Sequence, residues 1–177
     1  MNFRPIKAGA GPLPDYIRQT YMEAFPPAER RDLHLVSELI EQEPRFTLEE
    51  IRHEDRYAGL LSYWQFDTFA YIEHFAIDAS GRNQGWGATA LEQFAAHVHP
   101  LVLETEPPHD ALSLRRIRFY QRAGFTLCPL PYLQPPYRKG DAWLPLCLMS
   151  YGDIDLGQNF DAIRRTLYQY VYGVAEN

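Results

Sequence analysis

Arg82-Asn83-Gln84-Gly85-Trp86-Gly87 decides the reading of this chain. The run follows an alternating apolar stretch, residues 69–77, and opens an amphipathic one, residues 88–98. A glycine-bearing turn between a strand and a helix leaves main-chain N–H groups without partners at a helix N-terminus. Together with the helix dipole those donors make a seat for phosphate. At Gly85 and Gly87 no Cβ keeps the main chain away from such an anion. The spacing is neither Gly-x-x-x-x-Gly-Lys-Ser/Thr nor Gly-x-Gly-x-x-Gly. A nucleotide site of the first kind needs a loop lysine and a magnesium-holding hydroxyl, and the turn has neither.

Composition sets the frame around that turn. A chain of 177 residues fits one domain and can bury roughly 70% of its unfolded surface. Hydrophobic residues make up 46% and charged residues 23%, with twelve Tyr and ten Phe, which is the composition of a folded soluble protein. A net charge of −6 argues against nucleic acid as a partner and leans toward a cationic acceptor. The two cysteines, Cys128 and Cys147, read as reduced thiols of a cytoplasmic protein. No apolar run approaches the ~20 residues of a membrane span, and residues 1–10 lack the apolar core of a signal peptide.

Periodicity and punctuation give an order of elements. Residues 2–6 read as a short strand and residues 14–25 as a helix, with Ile17, Tyr21 and Phe25 on one face before Pro26-Pro27 stops it. Asp32 is placed to cap a second helix carrying Leu33, Val36, Leu39 and Ile40. Residues 45–52 and 57–66 read as a hairpin around His53-Glu54-Asp55, and residues 69–77 as the next strand. Leu101 to Thr105 is a compact strand, and Asp110 caps a helix over 111–123 with Gly124 just past its end. Residues 125–130 and 142–150 read as strands, joined by a rigid, irregular connection rich in proline. A last helix over about 159–172 docks on the body, so residues 1–177 are expected to form one domain. Hairpins mixed with helical crossovers imply a mixed α/β (α+β) sheet.

The turn resembles the acyl-CoA pyrophosphate loop of the GNAT superfamily of N-acetyltransferases, whose pattern is Gln/Arg-x-x-Gly-x-Gly/Ala. A second stretch, residues 113–125, is similar to that family's later signature at Phe119-Tyr120 and Gly124-Phe125. Ser113 stands where the family usually has Asn and Arg116 where it has Ala, which puts individual cofactor contacts in doubt. The resemblance spans roughly residues 1–150. It implies a GNAT-like fold: a mostly antiparallel sheet flanked by helices and splayed between its fourth and fifth strands. Acetyl-CoA would lie in that opening as co-substrate. By the same resemblance Phe75, Ala76 and Ile77 would meet the pantetheine and acyl carbonyl through main-chain groups. Arg82, Asn83, Gln84, Gly85, Trp86, Gly87 and Ala88 would hold the pyrophosphate.

The chemistry implied is acetyl transfer to a primary amine by direct attack in a ternary complex, with no protein nucleophile. Tyr120 is the family's usual general acid; a phenol with pKa near ~10 is protonated at neutral pH and ready to donate to the departing thiolate. An ammonium acceptor with pKa ~10 must first lose a proton. Glu73 is the first candidate base. It shares strand parity with Tyr71, Phe75 and Ile77, an apolar setting that raises a carboxylate pKa, although the resemblance places a bulge nearby. Glu104 and Glu106 are the reserves. His74, on the opposite parity, reads as a structural histidine. Of the cluster Arg115, Arg116, Arg118 and Arg122, Arg116 is expected at the CoA phosphates and the others on a solvated face. No metal set is expected. The acceptor, a small molecule or a peptide, is not readable, and a homodimer is left open. The alternative expectation is a non-catalytic module that binds or senses CoA.

Overall fold

The computed structural model describes residues 1–174. Among the described residues eight strands and five α-helices follow one another. Strand β1 (Asn2–Pro5) leads to helices α1 (Asp15–Ala24) and α2 (Leu33–Gln42). Then come the hairpin β2 (Phe46–His53) and β3 (Arg56–Gln65), and β4 (Ala70–Ile77). Helix α3 (Trp86–His97) crosses to β5 (Leu101–Thr105), and α4 (Ala111–Arg122) to β6 (Thr126–Leu127). Strands β7 (Tyr132–Gln134) and β8 (Leu144–Tyr151) and helix α5 (Leu156–Thr166) complete the order.

The main sheet runs β1-β2-β3-β4-β5-β8-β6, with β7 on the free end of β8. Among the described residues only β4 and β5 run parallel, as a strand–helix–strand crossover through α3 requires. Two cores cover its faces. Ile17, Tyr21 and Val36 of the first two helices, with Phe160, Ile163 and Leu167 at the C-terminal end, pack on one face over Leu60, Trp64, Tyr71 and Leu148. Ala90, Leu91, Phe94 and Ala95 of α3 and Ile117 of α4 pack on the other, over Leu61, Ile72, Leu103 and Met149. The i, i+4 spacing of apolar residues on each helix is what turns one stripe to the sheet.

Two irregularities create the site. The parallel pair holds only from Ala70 to Ile72 against Leu101 to Leu103. Past that point the strands diverge, while Glu104 and Thr105 keep their pairing with β8. Against β3, β4 pairs His74 with Ser62 and Ile72 with Tyr63, so Glu73 is the extra residue of a β-bulge. The bulge resets the alternation. Tyr71 and Ala76 face the first core, and Phe75 and Ile77 the second. The expected parity of Glu73 with Phe75 and Ile77 is therefore overturned.

Elsewhere the elements fall within a few residues of expectation, with three differences. The strand expected over 125–130 shrinks to two residues. The proline-rich connection contains a strand of its own, Tyr132–Gln134, flanked by Pro131 and Pro135; prolines at its ends cost it no inner ladder bond. The last helix starts earlier than expected because the Asp155 carboxylate accepts from Gly157 and Gln158 N–H, and it ends in one π-helical turn, Leu167–Val171. Asp32 sits at the N-cap position of α2, yet its side chain caps nothing and pairs instead with Arg138. No helix of the described residues is long and apolar enough to cross a membrane.

Candidate active site

The divergence of β4 and β5 opens a cleft with two connected chambers. The wider, about 720 Å³, lies between the end of β4, the glycine turn and α4. The deeper, about 460 Å³, runs between the splayed strands toward the α1–α2 connection and the 134–137 segment. Phe75, Ile77, Arg82, Leu112, Arg116 and Tyr120 border both.

The wider chamber is built mostly from main chain. Asp78 caps a short turn over Ala79–Gly81 by accepting from the Ser80 N–H at 2.9 Å. The chain then passes through Asn83 (φ 62°) and Gly85 (φ 78°) before α3 begins at Trp86. Positive φ is strained for a side chain other than glycine or asparagine, which is why these residue types stand there. Among the described residues no main-chain carbonyl accepts from the N–H groups of Gly85, Trp86, Gly87 or Ala88. These four open donors and the α3 dipole face the chamber as an anion seat. Arg82, Asn83, Gly85, Trp86, Gly87 and Ala88 line it, but Gln84 does not: its side-chain amide is bound to Ser80 O at 2.6 Å. Arg115 and Arg122 border the chamber beside Arg116, more than the solvated face expected of them. Arg116 also pairs with Glu106 at the junction of the chambers. Ser113 lines neither chamber. It is buried and closes a capping box with Asp110, its hydroxyl bound to the Asp110 main chain and carboxylate.

The deeper chamber is built from side chains. Glu73, fully buried on its bulge, accepts from Arg31 Nε at 2.8 Å and from Trp64 Nε1 at 2.8 Å. Burial would push its carboxyl up, yet the Arg31 guanidinium and these donors hold it below the usual carboxylate value. The raised pKa expected from an apolar setting is thus reversed by a cation the strand pattern does not contain. Arg31 is itself fixed: its Nη2 donates to Val171 O at 2.5 Å and its plane lies over the Tyr137 ring, 4.7 Å from the centroid. His74 is buried on the same face. Its Nε2 meets the Glu29 carbonyl at 3.1 Å and must carry the proton there, so Nδ1 accepts from Ser62 Oγ at 3.2 Å. Burial lowers its pKa, so it stays neutral, a satisfied structural histidine.

Glu104 has the opposite electrostatics. Its Oε1 accepts from the Tyr132 hydroxyl and its Oε2 from the Tyr172 hydroxyl at 2.7 Å. Tyr71 lies 3.0 Å from the Tyr172 oxygen. Because the Tyr172 proton is committed to Glu104, Tyr71 must be the donor in that contact. With no cation beside it, burial pushes Glu104 up to about 7, against the lowering effect of the phenols. Its side chain borders the deeper chamber. Tyr120 borders both chambers with its ring packed against Phe119 and Phe125; burial raises its phenol pKa, so the proton stays on oxygen at neutral pH. Thr105, 3% exposed, also borders the deeper chamber, and its Oγ1 is buried without a hydrogen-bond partner.

Arg31, Thr105, Tyr132 and Tyr172 were not readable as site residues from sequence. Thr105 and Tyr132 come from different strands, Arg31 from the approach to α2 and Tyr172 from the residue after the last helical turn, and only the tertiary fold brings them together. One signal existed: the tail of the chain repeats Tyr at 168, 170 and 172, and of these Tyr168 is buried and Tyr172 half-buried while Tyr170 is exposed.

A sheet wedged open beside a glycine turn at a helix start defines a class of acyl-carrying transferases. The Acetyltransferase (GNAT) family profile matches residues 14–125, more than half of the chain, which therefore belongs to that family. Among solved structures, a Bacteroides thetaiotaomicron protein assigned to GNAT-family acetyltransferases is similar at 39% identity and a TM-score of 0.94, covering 99% of this chain and 100% of that one. The Escherichia coli ribosomal-protein-S18-alanine N-acetyltransferase shares the fold at 18% identity and a TM-score of 0.59, over 85% of this chain and 92% of that one. So does an Elizabethkingia anophelis GNAT acetyltransferase with acetyl-CoA bound, at 17% and 0.57, over 85% and 96%. Comparison with curated proteins by sequence finds no match.

Proposed function

We propose that this protein is an N-acetyltransferase that moves the acetyl group of acetyl-CoA to a primary amine by direct attack, in the cytoplasm, with residues 1–177 as one working unit. The fit of the co-substrate rests on three features: the open donors at the start of α3, the end of β4 from Phe75 to Ile77, which pairs with β3 but has no partner on its β5 side, and the orphan Thr105 hydroxyl in the deeper chamber. Family membership and the neighbour with bound acetyl-CoA support the same choice. In the reaction the amine nitrogen bonds to the acetyl carbon and the carbon–sulfur bond breaks.

Glu104 takes the proton from the amine. It is the carboxylate poised near the operating pH, which is what a general base needs. Glu73 holds Arg31 and the chamber floor and is too committed to its cation to accept that proton easily. Tyr120 gives its phenolic proton to the sulfur, and solvent resets both groups. The acceptor side of the deeper chamber presents Glu23, Glu29, Glu104 and Glu106 with the rings of Phe25 and Tyr137, which suits a cationic amine on a small molecule or a peptide end.

The single observation that carries the reading is a half-buried carboxylate poised near neutrality and a half-buried phenol in the same cleft, beside the open donors at the start of α3. The experiment is thiol release from acetyl-CoA with a panel of amines, products identified by mass spectrometry. Amine-dependent release with an acetylated product is expected. CoA binding with no turnover on any amine would favour the non-catalytic alternative.

A further inference from the structure

The C-terminal turn carries a group that the acetyl-transfer reading does not use. Residues Leu167–Val171 form a π-helical turn packed on the first core, and Tyr172 follows it with its phenol directed at β5. The same turn presents the Val171 carbonyl to Arg31. A wider helical turn shifts the register of the residues after it, and here that register delivers both groups to the floor of the deeper chamber.

We propose that Tyr172, together with Tyr132, is a positioning residue that clamps the Glu104 carboxylate for proton transfer, making the C-terminal segment part of the acceptor site. The inference rests on Glu104 being the base. Each carboxylate oxygen receives one phenol: Tyr132 from β7 on Oε1 and Tyr172 on Oε2. A carboxylate held at both oxygens cannot rotate about its last torsion, and its remaining lone pairs point in fixed directions. Tyr71 extends the arrangement by donating to Tyr172, so two phenols in series end on Glu104, and hydrogen bonds in such a chain polarise one another. Tyr71 is 1% and Tyr132 2% exposed, and Tyr172 is half-buried.

The titratable groups that face Glu104 are few. From β4 they are Tyr71 and Glu73, from β7 Tyr132, from the following segment Tyr137, and from the C-terminal turn Tyr172. Glu73 raises the Glu104 carboxyl pKa while the phenols of Tyr132, Tyr172 and Tyr71 lower it. Removing one phenol must therefore make Glu104 hold its proton to higher pH, without touching the anion seat or Tyr120.

The test uses the full chain carrying glutamate labelled with carbon-13 at the side-chain carboxyl. The Glu104 signal is assigned by its loss in Glu104→Gln and followed against pH in wild type, Tyr172→Phe and Tyr132→Phe. Phenylalanine keeps each ring and its packing. In Tyr172→Phe the Glu104 titration is expected to move up by about one pH unit, roughly the scale of one hydrogen bond to a charged group. The acidic limb of kcat should move by the same amount, so that kcat falls about tenfold on that limb and recovers at alkaline pH, with KM for acetyl-CoA unchanged. A Glu104 signal that titrates as in wild type in Tyr172→Phe overturns the clamp. So does a loss of kcat that is equal at every pH, which is the mark of a structural effect alone. The base assignment fails separately, if Glu104→Gln leaves the acidic limb in place; the carboxyl titration reads the clamp in either case.

Discussion

The two chambers of the cleft are built on different principles. The wider one is lined by open main-chain donors from one short stretch, residues 85–88, beside arginines of α4. The deeper one works with side chains gathered from α2's approach, β4, β5, β7 and the C-terminal turn, and the contact of Arg31 with Val171 joins residues 140 positions apart. A main-chain site needs a backbone shape, and glycines at fixed spacing write that shape into the sequence. A side-chain site needs only that distant positions meet, and nothing local records the meeting. Substitutions in the deeper chamber should therefore act on kcat and its pH dependence, and those in the wider chamber on cofactor affinity.

The largest effect is expected at Glu104. Glu104→Gln should lower kcat by roughly 10²- to 10⁴-fold, the usual worth of a positioned general base. Wild-type activity should rise with pH through about 7, because the base works only after its carboxyl has lost the proton. That limb should vanish in the variant, as a pH–rate profile would read. Tyr120→Phe should follow, with kcat reduced about 10²-fold or more and the affinity for acetyl-CoA nearly unchanged, the pattern of an interaction made in the transition state. Normal turnover in that variant would hand the proton donation to water.

A third effect tests the floor of the deeper chamber. Arg31→Leu removes the cation from a buried pair and should cost about 3–5 kcal/mol of folding stability at neutral pH, measured by urea unfolding. The Glu73 carboxyl is held below its ordinary value, so the pair's contribution is present above the unfolded carboxyl pKa and is lost as pH falls through the folded one. The deficit of the variant should therefore shrink in acid, where Glu73 can protonate. Adding Glu73→Gln should recover part of it, because the unpaired charge is then gone. A deficit equal at all pH values would mean that Arg31 matters through its packing on Tyr137.

How much of this was legible in the sequence follows the same division. The opening between the strand ending at Ile77 and Leu101–Thr105, the turn at 82–88 and the tyrosine at 120 were readable because each rests on local spacing: alternation, glycine, and helical period. The surroundings of Glu73, the first candidate base, were not readable. One extra residue at Glu73 turns the strand's alternation over, and the cation that neutralises it lies 42 positions away. Glu104 could be named only as a reserve, since the three tyrosines around it come from β4, β7 and the chain's end. Arg116 borders both chambers, but its pairing with Glu106 was hidden by the turn between β5 and α4.

The smaller effects separate affinity from architecture within the wider chamber itself. Gly85→Val forces a β-branched residue to φ 78° and sets its methyls in the open space above the first turn of α3, since a Cβ there meets no atom within 4 Å. Strain of about 1–3 kcal/mol predicts acetyl-CoA binding weaker by roughly five- to 150-fold by calorimetry, and unchanged affinity would remove the anion from these donors. Ser113→Ala should do the reverse. Ser113 occupies the position where a cofactor contact is expected by family resemblance, yet its hydroxyl is bound to the Asp110 main chain and carboxylate and reaches neither chamber. Losing the reciprocal half of a capping box should cost about 1 kcal/mol of stability. Affinity for acetyl-CoA should stay within a factor of two or so, because the Asp110 carboxylate still caps α4 at Leu112 and Ser113 N–H and keeps Arg116 and Tyr120 in place. A Ser113→Ala protein of normal stability and markedly weaker cofactor binding would show that the hydroxyl leaves its cap to meet the ligand, and that this wall of the cleft, too, recognises through side chains.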